Sequence, residues 1–460
     1  MSKGEFMMEP LKNSNPRLNE KPTRFRFFIL VLLFVATAIN YMDRANLSVA
    51  GSTLQKELGL TSSQLGLLFS AFTWAYVFAQ IPVGWLLDRI GPRRLYGWAI
   101  ILWSFFTLIM GLSTHHIFVT TTASFIMLLI CRMLIGITEA PGYPSNTKIA
   151  TLWFPNNERA RATSIYSSAQ YIGLAIFTPL LSLMVAKINW ESVFYATGAV
   201  GIIFGIVWLI LYRDPQDSKR VNKSELDYIK ANGGYDSDQK QDNSQKITFQ
   251  EVVYVVKQRK VWGIFFAQFA AASTLYFFLT WFIVYLEQGL HLPIAKAGFI
   301  ASLPYLMAMA GVLFGGFLSD SLLKKGHSLT IARKIPIVSG LIISSMICLT
   351  NFFEDSPIIA VIILSIAFFA NAYSNMGWVA LGDVLPKKMV GTVGGILNVT
   401  GNLAGIISPI IFGTLLDKTH SFHWAMYYTS AVALLGGISF FLIIDKLEMI
   451  DLSKMKQRKS

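Results

Sequence analysis

The stretch Gly84-Trp85-Leu86-Leu87-Asp88-Arg89-Ile90-Gly91-Pro92-Arg93-Arg94 ends one long apolar run and precedes another. A helix crosses the hydrocarbon core of a bilayer with about 20 apolar residues. The runs on either side, beginning near Ser63 and Leu95, have that length. Between them lies a short turn carrying Arg89, Arg93 and Arg94. Short basic loops stay on the cytoplasmic side of a membrane, so this turn predicts both a hairpin of spans and its orientation.

The same reading, carried outward, gives twelve spans. In the first half they begin near Phe27, Ser63, Leu95, Phe118, Ala162 and Val193. In the second half they begin near Val261, Ala297, Ile335, Pro357, Thr392 and Met426. Composition agrees: of 460 residues 53% are apolar and 14% charged, against about a quarter charged in soluble chains. Cys131 and Cys348 both lie in apolar runs, so neither a disulfide framework nor a metal cluster is implied. The polar, basic start is followed by no small-residue cleavage site, so no removable signal peptide is expected.

The net charge of +13 invites a nucleic-acid reading. Its distribution opposes it. With the N-terminus placed inside, 33 of the 39 Lys and Arg residues fall in the tails and inner loops. Only Lys56, Lys187, Lys296 and Lys418 fall outside, and Arg44 and Arg132 remain within spans. The excess is therefore a positive-inside bias, and no nucleic-acid partner is expected.

The halves repeat. Gly84–Asp88 matches Gly316–Asp320, Thr178-Pro179 matches Ser408-Pro409, and Trp190 with Phe194 matches Trp424 with Tyr428, at offsets of 230 to 234. An even number of spans per repeat makes the halves parallel about an axis along the membrane normal. The expected fold is an all-α membrane protein with twelve transmembrane helices in two pseudo-symmetric six-helix bundles. Its expected parts are a tail (1–25), a bundle (26–212), a polar linker (213–257), a second bundle (258–446) and a tail (447–460). The linker is expected to be part helical, around Lys223–Lys230, and part disordered.

A charge at the bilayer centre costs at least ~2.5–3.5 kcal/mol. Asp43, Arg44, Arg132 and Glu139 therefore each need a reason. Arg132 and Glu139 are seven residues apart, which puts them on one helix face about 10 Å apart. Adjacent Asp43 and Arg44 cannot share a face, so different partners are expected. Two readings fit: the four neutralise one another, or the arginines hold an anion while a carboxylate carries protons. An arginine fork grips a carboxylate in bidentate geometry and stays charged. Tyr76, Gln170, Asn375, Trp378, Asn398 and Asn402 add polar and aromatic groups on other spans, suited to a polyhydroxylated ligand or to linking helices. The pairs Gly311/Gly315, Gly391/Gly395 and Gly401/Gly405 are expected to let helices approach closely.

The turn from Gly84 through Asp88, Arg89 and Gly91 to Arg93 resembles the loop 2–3 signature of the major facilitator superfamily, and Asp320 stands in its second-half copy. Asn40-Tyr-Met-Asp-Arg-Ala-Asn-Leu-Ser48, Trp74-Ala-Tyr76 with Gln80-Ile-Pro82, Thr138-Glu139-Ala-Pro-Gly-Tyr-Pro144 and Trp153-Phe-Pro155 resemble the anion:cation symporter family within it. Within that family the chain most resembles bacterial glucarate, galactarate and galactonate symporters. The resemblance implies proton-coupled uptake of a sugar acid by alternating access. It implies that Arg44 and Arg132 hold the substrate carboxylate, that Tyr41, Tyr76, Gln170, Trp378 and Asn398 line the site, and that Asp43 and Glu139 carry protons. The family often has small hydroxyl residues just before the span-ten tryptophan, where this chain has Asn375 and Gly377.

Another organic-anion carrier of the same fold, for a hexuronate, a phthalate-like anion or a sugar phosphate, and working by exchange, is the nearest alternative. A non-transporting membrane sensor is a distant one. No catalytic Ser/His/Asp set, metal-ligand cluster or nucleotide-binding glycine loop stands out, so neither an enzyme nor a cofactor is expected. The expected partners are a small organic anion, protons and the lipid bilayer. The expected form is a monomer in a bacterial cytoplasmic (inner) membrane, with both termini cytoplasmic.

Overall fold

The computed structural model describes residues 22–112, 120–234 and 248–452. The first half contains α1 (Arg26–Leu58), α2 (Ser62–Ile90), α3 (Pro92–Met110), α4 (Thr121–Glu139), α5 (Gly142–Trp153), α6 (Asn156–Lys187) and α7 (Glu191–Leu211). The linker carries α8 (Lys223–Ala231) and α9 (Phe249–Val256). The second half contains α10 (Arg259–Thr280), α11 (Phe282–Val284), α12 (Ile294–Lys324), α13 (Leu329–Ser344), α14 (Pro357–Ser374), α15 (Gly377–Val384), α16 (Val390–Thr419) and α17 (Phe422–Ile443).

Eleven spans among the described residues are long and apolar enough to cross a membrane, with α4–α5 and α14–α15 each counted as one and α13 extended by a 3₁₀ segment to Phe352. The twelfth, α3, is diluted by Arg93 and Arg94 in its first turn. Most helices begin a few residues before their apolar runs because polar end turns continue the helix into the interface; α6, for example, starts at Asn156 rather than Ala162. Phe118 and the pair His115 and His116 lie outside the described residues, and the fourth span is described from Thr121. The α4–α5 break sits at Ala140-Pro141, where proline lacks the N–H that the helix ladder needs.

The repeat is visible in the packing. The pairs α1/α6, α2/α4 and α3/α7 recur as α10/α16, α12/α14 and α13/α17. The halves meet along α2/α16 and α6/α12. At each seam a glycine removes the side chain from the closest approach. A β-carbon on Gly66 would strike the Pro409 carbonyl, and one on Gly298 would strike Ser182 and the Thr178 carbonyl. Gly66 and Gly298 are 232 residues apart, the offset of the repeat. Gly311, Gly315 and Gly405 also press on neighbours, but Gly391 and Gly395 meet nothing within 4 Å. The expected close contact at that last pair is absent.

Both ends of each half lie on one face, together with the linker; it is called here the linker face. There α8 is bound to the first half: Glu225 accepts from the Phe25 N–H (2.8 Å) and from Arg26 Nη1 (3.1 Å), while Arg26 Nε donates to Glu158 (2.8 Å). Helix α8 falls where the sequence places it. Helix α9 is a second helical part that the sequence reading does not name: Thr248 and Glu251 form a reciprocal capping box, and Lys388 of the second half pairs with Glu251 at 3.0 Å. Buried Val255 completes its docking.

The opposite face is closed. Asp417 of α16 accepts the backbone N–H groups of Ser62 and Ser63 at the start of α2, each at 2.7 Å. Ser48 Oγ donates to the Thr280 carbonyl (2.8 Å), Ser52 Oγ to Glu287 (2.6 Å), and Gln288 Nε2 to Gln55 (3.1 Å).

A candidate substrate cavity between the two halves

A cavity of about 210 Å³ lies between the halves. Its walls run from Arg44 and Tyr76 toward residues nearer the linker face, including Thr37, Tyr143, Asn146, Gln268 and Trp378. With the opposite face closed, the cavity opens toward the linker face.

Arg44 is its central charge. Both Nε (2.7 Å) and Nη2 (2.5 Å) donate to Oε1 of Glu139. The guanidinium rests among the rings of Tyr41, Phe72 and Tyr76, at 5.0, 4.8 and 5.4 Å from their centroids. Aromatic faces attract a cation and exclude water from it. Glu139, the last residue of α4, is 1% exposed. Its Oε2 is buried with no hydrogen-bond partner. A fixed cation thus shares its carboxylate partner with whatever anion enters, and that carboxylate keeps one oxygen free for a proton.

Of the sequence-derived site residues, Tyr41, Arg44, Tyr76, Glu139, Trp378 and Asn398 line this cavity. Arg132, Gln170, Asn375 and Asp43 do not. Arg132 shares a helix face with Glu139 as its spacing requires, but it is 5% exposed and its guanidinium lies against Phe72, 5.1 Å from the ring centroid. Its Nε donates to the Leu68 carbonyl at 3.4 Å. Asp43 points away from Arg44, between α3 and α7, accepting from Trp103 Nε1 (3.0 Å) and Asn46 Nδ2 (3.4 Å). Asn46 in turn donates to Thr197 of α7 at 2.6 Å. Asn375 sits exposed in the break between α14 and α15.

The signature turn forms a structured corner of the linker face. Asp88 accepts from Lys148 of α5 (2.7 Å). Arg89 stacks on Trp85 (5.2 Å), Gly91 adopts φ 81°, and Arg93 donates to the Leu209 carbonyl (2.8 Å). Gly84 and Gly316 face open space, and Asp320 is exposed.

Sequence reasoning missed Gln268, Tyr276, Asn146 and Tyr96, all on the cavity wall. One signal was present: Tyr276 lies 232 residues after Arg44, so it is the repeat partner of the central charge. Its hydroxyl donates to Asn402 Oδ1 (3.1 Å), and Asn398 Nδ2 crosses the cavity to Gln80 Oε1 (2.8 Å).

The chain is 40% identical over 95% of its length, and 96% of the relative's, to the probable galactarate/D-glucarate transporter GudP of Bacillus subtilis. It is 40% identical over 94% of its length, and 98% of the relative's, to the D-galactonate transporter of Escherichia coli O6:H1. A solved D-xylose–proton symporter superposes with a TM-score of 0.71 at 15% identity, covering 93% of this chain and all of that one. A bacterial homolog of the human lysosomal transporter Spinster, solved inward-facing and unoccupied, gives 0.72 at 20% identity, covering 92% and 98%. At those identities the structures attest the fold. With its many apolar helices the chain is a multi-pass membrane protein. The sequence pattern of the Major Facilitator Superfamily matches residues 33–409, and the chain belongs to that superfamily.

Proposed function

We propose that this protein is a secondary active transporter that takes up a sugar acid together with protons by alternating access. The observation that carries the reading is the pairing of Arg44 with Glu139 in a cavity shared by the two halves. Arg44 receives the substrate carboxylate. Protonated Glu139 leaves it free to do so, and ionised Glu139 competes for it and helps expel the substrate. Relatives named for galactarate, D-glucarate and D-galactonate transport support the substrate class.

The positive-inside bias supports a cytoplasmic linker face with both termini inside, in a bacterial cytoplasmic membrane. The cavity lies between two halves of one chain, which supports a working monomer. The test is uptake into proteoliposomes. An inward proton gradient drives accumulation of a labelled sugar acid, and collapsing the gradient abolishes it. Uptake that needs a counter-substrate and ignores the gradient defeats the proposal in favour of exchange.

A further inference from the structure

The cavity is electrostatically lopsided. Among the described residues that line it, Arg44 is the one cation and Glu139 the one anion, and both belong to the first half. The second half contributes Gln268, Tyr276, Trp378, Asn398 and Asn402 as its polar and aromatic wall, none of them charged.

Gln268 stands out within that wall. Its Oε1 is buried and without a hydrogen-bond partner. A β-carbon on Gly377 would collide with that oxygen, and one on Gly401 would stand 3.4 Å from Nε2. Two glycines, on α15 and α16, thus open a slot that the amide fills. The neighbouring amides are engaged. Asn398 is held by Gln80, and Asn402 accepts from Tyr276 and donates to the Asn398 carbonyl at 2.9 Å. Gln268 is thus left with an acceptor whose hydrogen bond is unmet.

An amide both donates and accepts, and so does a hydroxyl. A carboxylate only accepts, and when buried it needs a cation or several donors. The cavity's cation is at the other wall and already shared with Glu139. The second-half end therefore suits a hydroxylated carbon and not a second carboxylate.

Resting on the sugar-acid reading above, we infer that the site selects monocarboxylic sugar acids (aldonates) over dicarboxylic ones (aldarates), with the carboxylate at Arg44 and the hydroxylated end at Gln268. Identity to relatives does not decide this, since those named for each kind are equally similar at 40%. The charge distribution of the cavity does.

The test uses the full chain in detergent, titrated calorimetrically with D-galactonate and with galactarate, which differ only at the sixth carbon. The aldonate binds at least tenfold more tightly. Gln268→Lys, which places an ammonium in the slot, reduces or reverses that preference, and Gln268→Ala weakens the aldonate more than the aldarate. Equal or tighter aldarate binding by the wild-type protein overturns the inference and leaves the sugar-acid reading standing. A preference unchanged in both variants overturns the placement at Gln268. If neither ligand binds, both the reading and the inference fall. The wild-type ratio decides the substrate class even where a variant does not fold.

Discussion

Arg44 holds Glu139 by a single oxygen. Two guanidinium nitrogens converge on Oε1 while Oε2 of the same carboxylate stays buried and unpartnered. Such a pair is under-used for structure and well placed for exchange of partners. Glu139→Gln keeps the shape and removes the negative charge. We expect it to abolish proton-driven accumulation in proteoliposomes and to preserve exchange of labelled for unlabelled substrate. Accumulation at the wild-type level would remove Glu139 from the coupling scheme.

The two arginines should separate by experiment. Arg44 faces the cavity and Arg132 does not. Truncating one member of a buried charged pair costs about 2–5 kcal/mol, so Arg44→Ala should raise the substrate Kd by roughly thirtyfold or more. Arg132→Lys, lacking the fork that reaches the Leu68 carbonyl, should change Kd less than about tenfold and lower the melting temperature instead. Calorimetry and thermal unfolding on both variants check this. Equal losses of affinity would put Arg132 in contact with substrate.

Asp417 ties α16 to the first turn of α2 across the two halves. A hydrogen bond to a charged group contributes about 1.5–3 kcal/mol. Asp417→Ala should therefore shift the balance at least tenfold toward a state open at the opposite face. A cysteine introduced at Gln55, whose amide meets Gln288 across the closure, reports this through faster reaction with a membrane-impermeant thiol reagent. An unchanged rate would mean that other contacts hold the closure.

Removing Glu225 should destabilise the first half. Its carboxylate is fully buried and accepts from Phe25 and Arg26, and Arg26 is itself 6% exposed. Glu225→Ala leaves Arg26 with Glu158 alone; breaking such a buried pair costs about 3–5 kcal/mol. A clear fall in melting temperature, smaller for Glu225→Gln, is the expected result.

The docking of α9 should depend on pH. The Thr248 N–H and then Lys388 hold the Glu251 carboxyl below its ordinary range. A depressed pKa contributes stability above the unfolded value that is lost as pH falls through the folded one. The protection of the α9 amides, measured against their intrinsic exchange rate at each pH, should fall below about pH 4.3, the ordinary carboxylate value, and Glu251→Gln should flatten that dependence.

Charge placement made most of the fold legible in the sequence. The arginine-rich turn after Gly84 set a hairpin, and the repeat offset paired the halves. The site was less legible, for a geometric reason. Spacing along a helix fixes which residues share a face, as for Arg132 and Glu139, but packing against neighbours fixes where that face points. Phe72 screens Arg132 from the cavity, and nothing in the local sequence of α4 signals it. Helix α9 was missed because the linker before it is polar, although Thr248 and Glu251 ahead of Val252–Val256 form a capping box that marks its start; its pairing with Lys388, far away in the chain, was not visible locally.

The closed opposite face has a consequence for regulation in the cell. A carrier whose cavity opens toward the linker face meets what has collected in the compartment on that side. On the proposal that this face is cytoplasmic and that Arg44 holds the cargo, retained cargo would reoccupy Arg44 and delay the return to the outward state. Accumulation would then brake itself: a cell already rich in the compound would slow further import with no dedicated inhibitor, and metabolism that clears the compound would release the brake.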